Sequence, residues 1–100
     1  MREQGPLTEA MFYTLLILTK KDVCGTEIAA AVEEKTAGRV RLGPGTLYTI
    51  LRKFVEQDLI REVEVEGRKR TYQLTGEGRA AYEAELLRLK RCILDAEEGD

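Results

Sequence analysis

The sequence predicts an α+β, mainly helical fold made of three helices, a two-stranded hairpin and a long fourth helix. Three observations carry that expectation. Leu47, Ile50, Leu51, Phe54 and Val55 recur at helical spacing and form one apolar stripe. Val63 and Val65 alternate with Glu62, Glu64 and Glu66 before Gly67, the pattern of a strand with one wet face that runs into a turn. Tyr82, Leu86, Leu89, Ile93 and Ala96 are spaced 4, 3, 4, 3, which is a heptad seam on a helix.

The first helix opens at Thr8, whose hydroxyl can cap the Met11 N–H, and continues through Ala10, Met11, Phe12, Tyr13, Leu15, Leu16, Ile17 and Leu18. Lys20 and Lys21 follow, where cations suit a helix C-terminus. The helix is apolar nearly all round. In a domain this small one side faces the core, so the other is expected to meet a second chain through Met11 and Leu15. Cys24, Gly25 and Thr26 make the turn and cap of a second helix, with Ile28, Ala29, Ala31 and Val32 inward and Glu27, Glu33, Glu34 and Lys35 in water. It ends near residues 36–38. Residues 38–44 connect to a third helix, expected over 44–57, where Pro44 fits the first turn because its missing N–H costs nothing there.

Thr46, Tyr48, Thr49, Arg52 and Lys53 fall off the apolar stripe of that third helix and remain available as donors. Leu59 and Ile60 return the chain inward. The hairpin then places Arg68, Lys69 and Arg70 at its tip, and Thr71, Tyr72, Gln73 and Leu74 form the returning strand. Thr75-Gly76-Glu77-Gly78 starts the last helix. Leu87 and Leu94 broaden its seam, and residues 97–100 read as a frayed acidic tail. A helix added after the hairpin has little of its own domain left to cover. It is expected to dimerise through Tyr82, Leu86, Leu89 and Ile93 against the first helix. The domain organisation is therefore 1–75 for a winged helix-turn-helix with a two-stranded wing, 76–96 for a C-terminal dimerisation helix and 97–100 for the tail.

A net charge of −2, from 16 basic and 18 acidic residues, seems wrong for a partner of nucleic acid until it is divided along the chain. Residues 36–55 carry four bases and no acid, and residues 67–73 carry three bases and no acid. Everything else is acidic on balance. A third helix with hydroxyls and cations near its N-terminus, followed by a cationic hairpin tip, suits double-stranded DNA. Thr49 and Arg52 are assigned to base edges in the major groove. Thr46 supplies a further hydroxyl, and Tyr48, Lys53, Arg68, Lys69 and Arg70 are assigned mainly to phosphate. Ten such cations in a dimer, partly engaged, predict a log–log salt slope on the order of −5 to −9. Arg39 and Arg41 either touch the DNA backbone or keep their loop soluble.

Other classes fare poorly. Apolar runs such as Leu15 to Leu18 fall far short of a bilayer span and the first residues lack a secretory pattern, so a cytoplasmic protein is expected. The chain has no histidine and no serine, and its two cysteines, Cys24 and Cys92, have neither metal-ligand spacing nor the density of a disulfide scaffold. The carboxylates lie on strand faces, helix exteriors or the tail. No catalytic site, metal or cofactor is expected. Cys24 reads as a small core residue and Cys92 as one that flanks the seam.

Gly45-Thr46-Leu47-Tyr48, followed by Leu51, Phe54, Leu59-Ile60, the basic wing and Tyr72-Gln73-Leu74-Thr75-Gly76-Glu77-Gly78, resembles the PadR family of bacterial and archaeal transcriptional regulators. Gly25-Thr26-Glu27-Ile28 looks like the start of that family's second helix, and the single C-terminal helix resembles its short subfamily. Three positions depart from the family pattern. Thr49 stands where a proline commonly follows the tyrosine, Thr26 where a tyrosine follows the glycine, and Asp58 where a glycine ends the third helix; the fold tolerates all three, while base preference can shift. The resemblance implies a prokaryotic, nucleoid-associated homodimer that represses from a pseudo-palindromic operator. For some members it implies small aromatic or drug-like effectors, although this chain has no tryptophan and its aromatics mostly have structural roles. Two rivals remain open at this stage: a winged-helix module for protein interaction, and a regulator of the MarR or penicillinase-repressor type.

Overall fold

Residues 6–98 are described by a computed structural model of the chain. Four helices, α1 (Glu9–Leu18), α2 (Gly25–Lys35), α3 (Pro44–Glu56) and α4 (Gly76–Glu97), surround a small antiparallel sheet of β1 (Val23–Cys24), β2 (Ile60–Glu66) and β3 (Lys69–Leu74) in the order β1-β3-β2. The expected α+β, mainly helical winged helix-turn-helix is the architecture found. β1 is a third strand that the sequence reading missed. Its two residues pair with β3, Val23 opposite Tyr72 and Cys24 opposite Thr71, and so tie the hairpin to the start of α2.

Local chemistry accounts for the helix ends. The Thr8 hydroxyl accepts from the Met11 N–H at 3.1 Å, as expected. At α2 the cap is Cys24, and the Glu27 carboxylate reaches back to accept from the Cys24 N–H at 3.0 Å. That hydrogen bond, first among several influences, holds the Glu27 carboxyl below its ordinary range. Asp58 ends α3 with φ of 61°, the left-handed cap for which glycine is the easier residue.

Fourteen apolar residues drawn from α1, α2, α3, all three strands and the connecting segments at Val40 and Leu59 form the buried cluster, with Phe54, Leu15 and Ile28 fully enclosed. Leu15 corrects one expectation. It was assigned to a dimer interface, but it is wholly buried inside the protomer, because a helix that is apolar all round turns its Leu15, Leu18, Ile17 and Thr14 face inward and leaves Phe12, Tyr13 and Leu16 half-covered.

β2 departs from the alternating pattern. Only Ile60 is buried and the remaining six residues are exposed, so both faces of the wing are wet. The register explains this. A bulge lies between Glu62 and Glu64, and beyond it the ribbon extends past the body of the domain.

The root of α4 is fixed closely. Thr75 donates through its hydroxyl to the Asp58 and Leu59 carbonyls at 2.6 and 2.9 Å, donates its N–H to Leu59, and accepts the Gly78 N–H at 3.0 Å. A Cβ on Gly78 would collide with the Leu59 carbonyl and lie 2.7 Å from Leu74 Cδ1, so only glycine permits this approach. Farther along, Tyr82 stacks on Phe12 of α1 with centroids 5.3 Å apart. Glu85, a buried carboxylate, accepts the Leu7 N–H at 3.2 Å and pairs with Arg88 at 2.7 Å. From Lys90 onward the described part of α4 is exposed. α4 runs through Glu97, and residues 99–100 of the tail expected at 97–100 lie outside the described residues.

Candidate nucleic-acid interface

α3 begins with Gly43 as its cap and Pro44 at its first position, and no side chain caps its free N–H groups. Its first turn holds no acid, and Gly43 to Thr46 are exposed. The buried side is Leu47, Ile50, Leu51 and Phe54, as the sequence spacing requires; Val55, expected in the same stripe, is half-buried. At 100° per residue the outermost ridge is therefore Gly45, Thr49, Arg52 and Glu56. Glu56 is the helix's one acid and sits in its last turn, which leaves the first two turns as the anion-compatible part.

Two grooves flank this ridge. One, of about 630 Å³, runs between α1 and α3 and is lined by Thr8, Ala10, Met11, Thr46, Thr49 and Lys53 among others. The other, of about 380 Å³, separates α3 from the wing and is lined by residues including Tyr48, Arg52, Glu56, Glu62, Arg70 and Tyr72. Thr46 and Lys53 thus face one side of the helix and Tyr48 the other, with Arg52 on the ridge beside the wing. Tyr48 has a second contact: its ring lies over Gly25 at the start of α2, where an added Cβ would stand 3.1 Å from the phenol oxygen. The small residue at Gly25 and the broad one at Tyr48 fix the angle between α2 and α3.

The wing's cations are not equivalent. The turn is Gly67–Arg68, with Gly67 at φ of 62°, so Arg68 stands at the tip and Lys69 opens β3. Arg70 lies on the strand instead, and its Nη1 donates to both oxygens of Glu62 at 2.9 and 3.0 Å. Arg68 and Lys69 are thus the cations at the end of the wing, while Arg70 is paired with a carboxylate on the strand. Next to it, burial pushes the Tyr72 hydroxyl above its ordinary range, with Glu62 adding to the effect.

Sequence reasoning missed Glu62 and Glu56 as parts of this surface. Glu62 is invisible to a period-2 reading because the bulge moves it to the other face of the sheet. Glu56 was read only as the start of an acidic segment.

The residues assigned to dimerisation are divided. Met11 lines the α1–α3 groove, Tyr82 is engaged with Phe12, and Leu86 and Leu89 are half-buried. Ile93 is 57% exposed, as are Leu94 and, at 58%, Leu87. Cys24 is buried and Cys92 exposed. Among the described residues no helix is long and apolar enough to cross a membrane.

A family model described as the transcriptional regulator PadR-like family matches residues 14–84. Among curated proteins, 77 residues are 36% identical to an uncharacterized 37.1 kDa protein in transposon TN4556 of Streptomyces fradiae, covering 77% of this chain and 22% of that protein. The chain thus spans less than a quarter of that relative. Among solved structures, a PadR family transcription regulator from hypervirulent Clostridium difficile is 26% identical with a TM-score of 0.74, over 92% of this chain and 100% of that one. A PadR-like transcription factor from Bacteroides fragilis is 23% identical with a TM-score of 0.77, over 88% and 86% of the two chains, a likeness of fold.

Proposed function

This chain belongs to the PadR-like family of transcriptional regulators, and we propose that it acts as a homodimeric repressor whose two α3 helices enter successive major grooves of one operator. The observation that carries the reading is the uncapped N-terminus of α3, which offers backbone N–H groups beside the exposed Thr46, Thr49, Arg52 and Lys53 with no acid in the first turn. Such a terminus is matched to phosphate, and the side chains on its outer ridge are of the kinds that read base edges. Thr49 and Arg52 take the base-reading role. Tyr48, Lys53, Arg68 and Lys69 hold the backbone.

The dimer reading is supported by the apolar side chains left bare on α4, since a contiguous set of this kind on a helix that has outrun its own core needs a partner. Two-fold symmetry then calls for a pseudo-palindromic operator with half-sites about one helical turn apart, roughly 34 Å. Any effector works through the dimer angle, because a shift of a few ångströms between the two α3 helices spoils simultaneous docking. A prokaryotic nucleoid is the corresponding location.

Arg52→Ala should weaken operator binding about tenfold or more, as loss of one good base contact does. Arg68→Ala with Lys69→Ala should weaken all duplexes alike. With Arg70 occupied, eight cations per dimer remain, and partial engagement gives a log–log salt slope on the order of −4 to −7. Electrophoretic retardation or fluorescence anisotropy across a salt series measures all three. Unchanged binding in both variants, with the fold intact, would transfer the role to the rival reading of a protein-interaction module.

A further inference from the structure

The carboxylate of Glu62 stands on the face that the proposed reading gives to DNA, and the strand is built to put it there. From the turn outward the hairpin pairs Glu66 with Lys69, Val65 with Arg70 and Glu64 with Thr71. Continued without interruption, this register would set Val63 opposite Tyr72 and Glu62 opposite Gln73. The bulge at Val63 instead sets Glu62 opposite Tyr72 and Arg61 opposite Gln73. Glu62 is thereby placed on the same sheet face as Arg70, turned toward α3, while Glu64 and Glu66 share the other face with Lys69.

The resulting pair has little to do with stability. Its side chains are 54% and 33% exposed, and ion pairs this open contribute almost nothing to folding. Its effect is on the field of the groove between α3 and the wing. That groove contains Arg52 and Arg70 together with Glu56 and Glu62, two charges of each sign, whereas Lys53, Arg68 and Lys69 lie outside it. An arginine held by both oxygens of a carboxylate releases no counterion when a phosphate approaches, and the carboxylate repels that phosphate.

We propose that Glu62 limits the electrostatic affinity of the DNA-binding surface, by holding Arg70 out of the phosphate-binding set and so lowering affinity for every duplex. The inference rests on the DNA-binding reading above. Phosphate contacts are sequence-independent, so cancelling one cation per protomer lowers binding to all duplexes together, and base contacts by Thr49 and Arg52 are left in place.

The test uses the full chain with Glu62→Gln, and with Glu62→Gln combined with Arg70→Gln, titrated with a duplex of random sequence over a salt series. Freeing Arg70 in Glu62→Gln adds about two phosphate contacts per dimer, so the log–log slope should steepen by about 2, with tighter binding at low salt. Removing both charges should restore the wild-type slope, since the pair was neutral. A Glu62→Gln slope equal to wild type, or a double variant shallower than wild type by about 2, overturns the proposal, the latter because Arg70 would then be a phosphate ligand already. Wild-type protein that retards no duplex at any salt refutes the DNA reading itself, and this inference with it. Matching circular dichroism melts establish that each variant is folded.

Discussion

The wing and the last helix both leave the body of the domain, and they do so with opposite chemistry. Past Ile60 every residue of β2 is exposed, and the ribbon is mostly charged. Past Leu89 every described residue of α4 is exposed too, yet Ile93 and Leu94 on it are apolar. A charged ribbon is stable in water and suited to an anionic surface. Bare apolar side chains on a helix end are costly in water and suited to another protein surface. The same degree of exposure therefore has two meanings, and the neighbours of each side chain decide between them.

The comparison is broken most severely at the root of α4, because both readings assume that the helix leaves at one fixed angle. Gly78→Ala would drive a methyl group into the Leu59 carbonyl and Leu74, and the carbonyl is already held by the Thr75 N–H and hydroxyl. A loss of about 3 kcal/mol is expected by chemical denaturation, an overpacking cost at the upper end of the usual range. A loss below about 1 kcal/mol would mean that the helix can tilt away freely, and that its direction is not fixed by Gly78.

Next in size is the assembly. Ile93→Glu with Leu94→Glu should raise the dimer dissociation constant more than about tenfold by sedimentation, without lowering helical content, because two acids would replace the bare apolar pair. An unchanged constant would make the exposed end of α4 as inert as the wing.

How much of this was legible beforehand follows from the range of each signal. The stripe of α3, the Thr8 cap and the left-handed Asp58 are written in residues a few positions apart, where spacing and capping chemistry operate. β1 is two residues long and exists only because Tyr72 and Thr71 lie beside it, about fifty positions away, so no local pattern announces it. The bulge at Val63 is likewise a property of the pairing, and with it the placement of Glu62 against Arg70. Leu15 was misassigned because a helix apolar on all sides carries no local mark of which side is inward. Glu85 carries no local mark that sets it apart from the helix-exterior carboxylates, because its partner Leu7 lies 78 positions away.

Glu85 supplies a smaller test of the α4 side. The Arg88 hydrogen bonds hold its carboxyl below the ordinary carboxylate range; burial opposes them and the Leu7 N–H assists. A carboxyl with a lowered folded value stabilises the protein above its unfolded value and loses that contribution as pH falls through the folded one. The stability difference between wild type and Glu85→Gln should therefore be constant above about pH 5 and shrink below about pH 4. Denaturation at a series of pH values measures it, and a difference that grows on acidification would reverse the assigned sign.

The smallest expected effect bears most directly on the comparison. Val65 is 55% exposed, nearly the same as Ile93 at 57%. If exposure alone marked an interface, the two would respond alike. Val65, however, lies between Glu64 and Glu66 and opposite Arg70, so its immediate strand neighbours are charged. Its branched side chain serves the strand, and threonine keeps that branching. Val65→Thr should change stability by less than about 0.5 kcal/mol and leave both the sedimentation behaviour and the salt slope of DNA binding at their wild-type values. A shift in oligomeric state from this one substitution would mean that the wing, too, is a protein surface, and the division between the two projections would fail at its root.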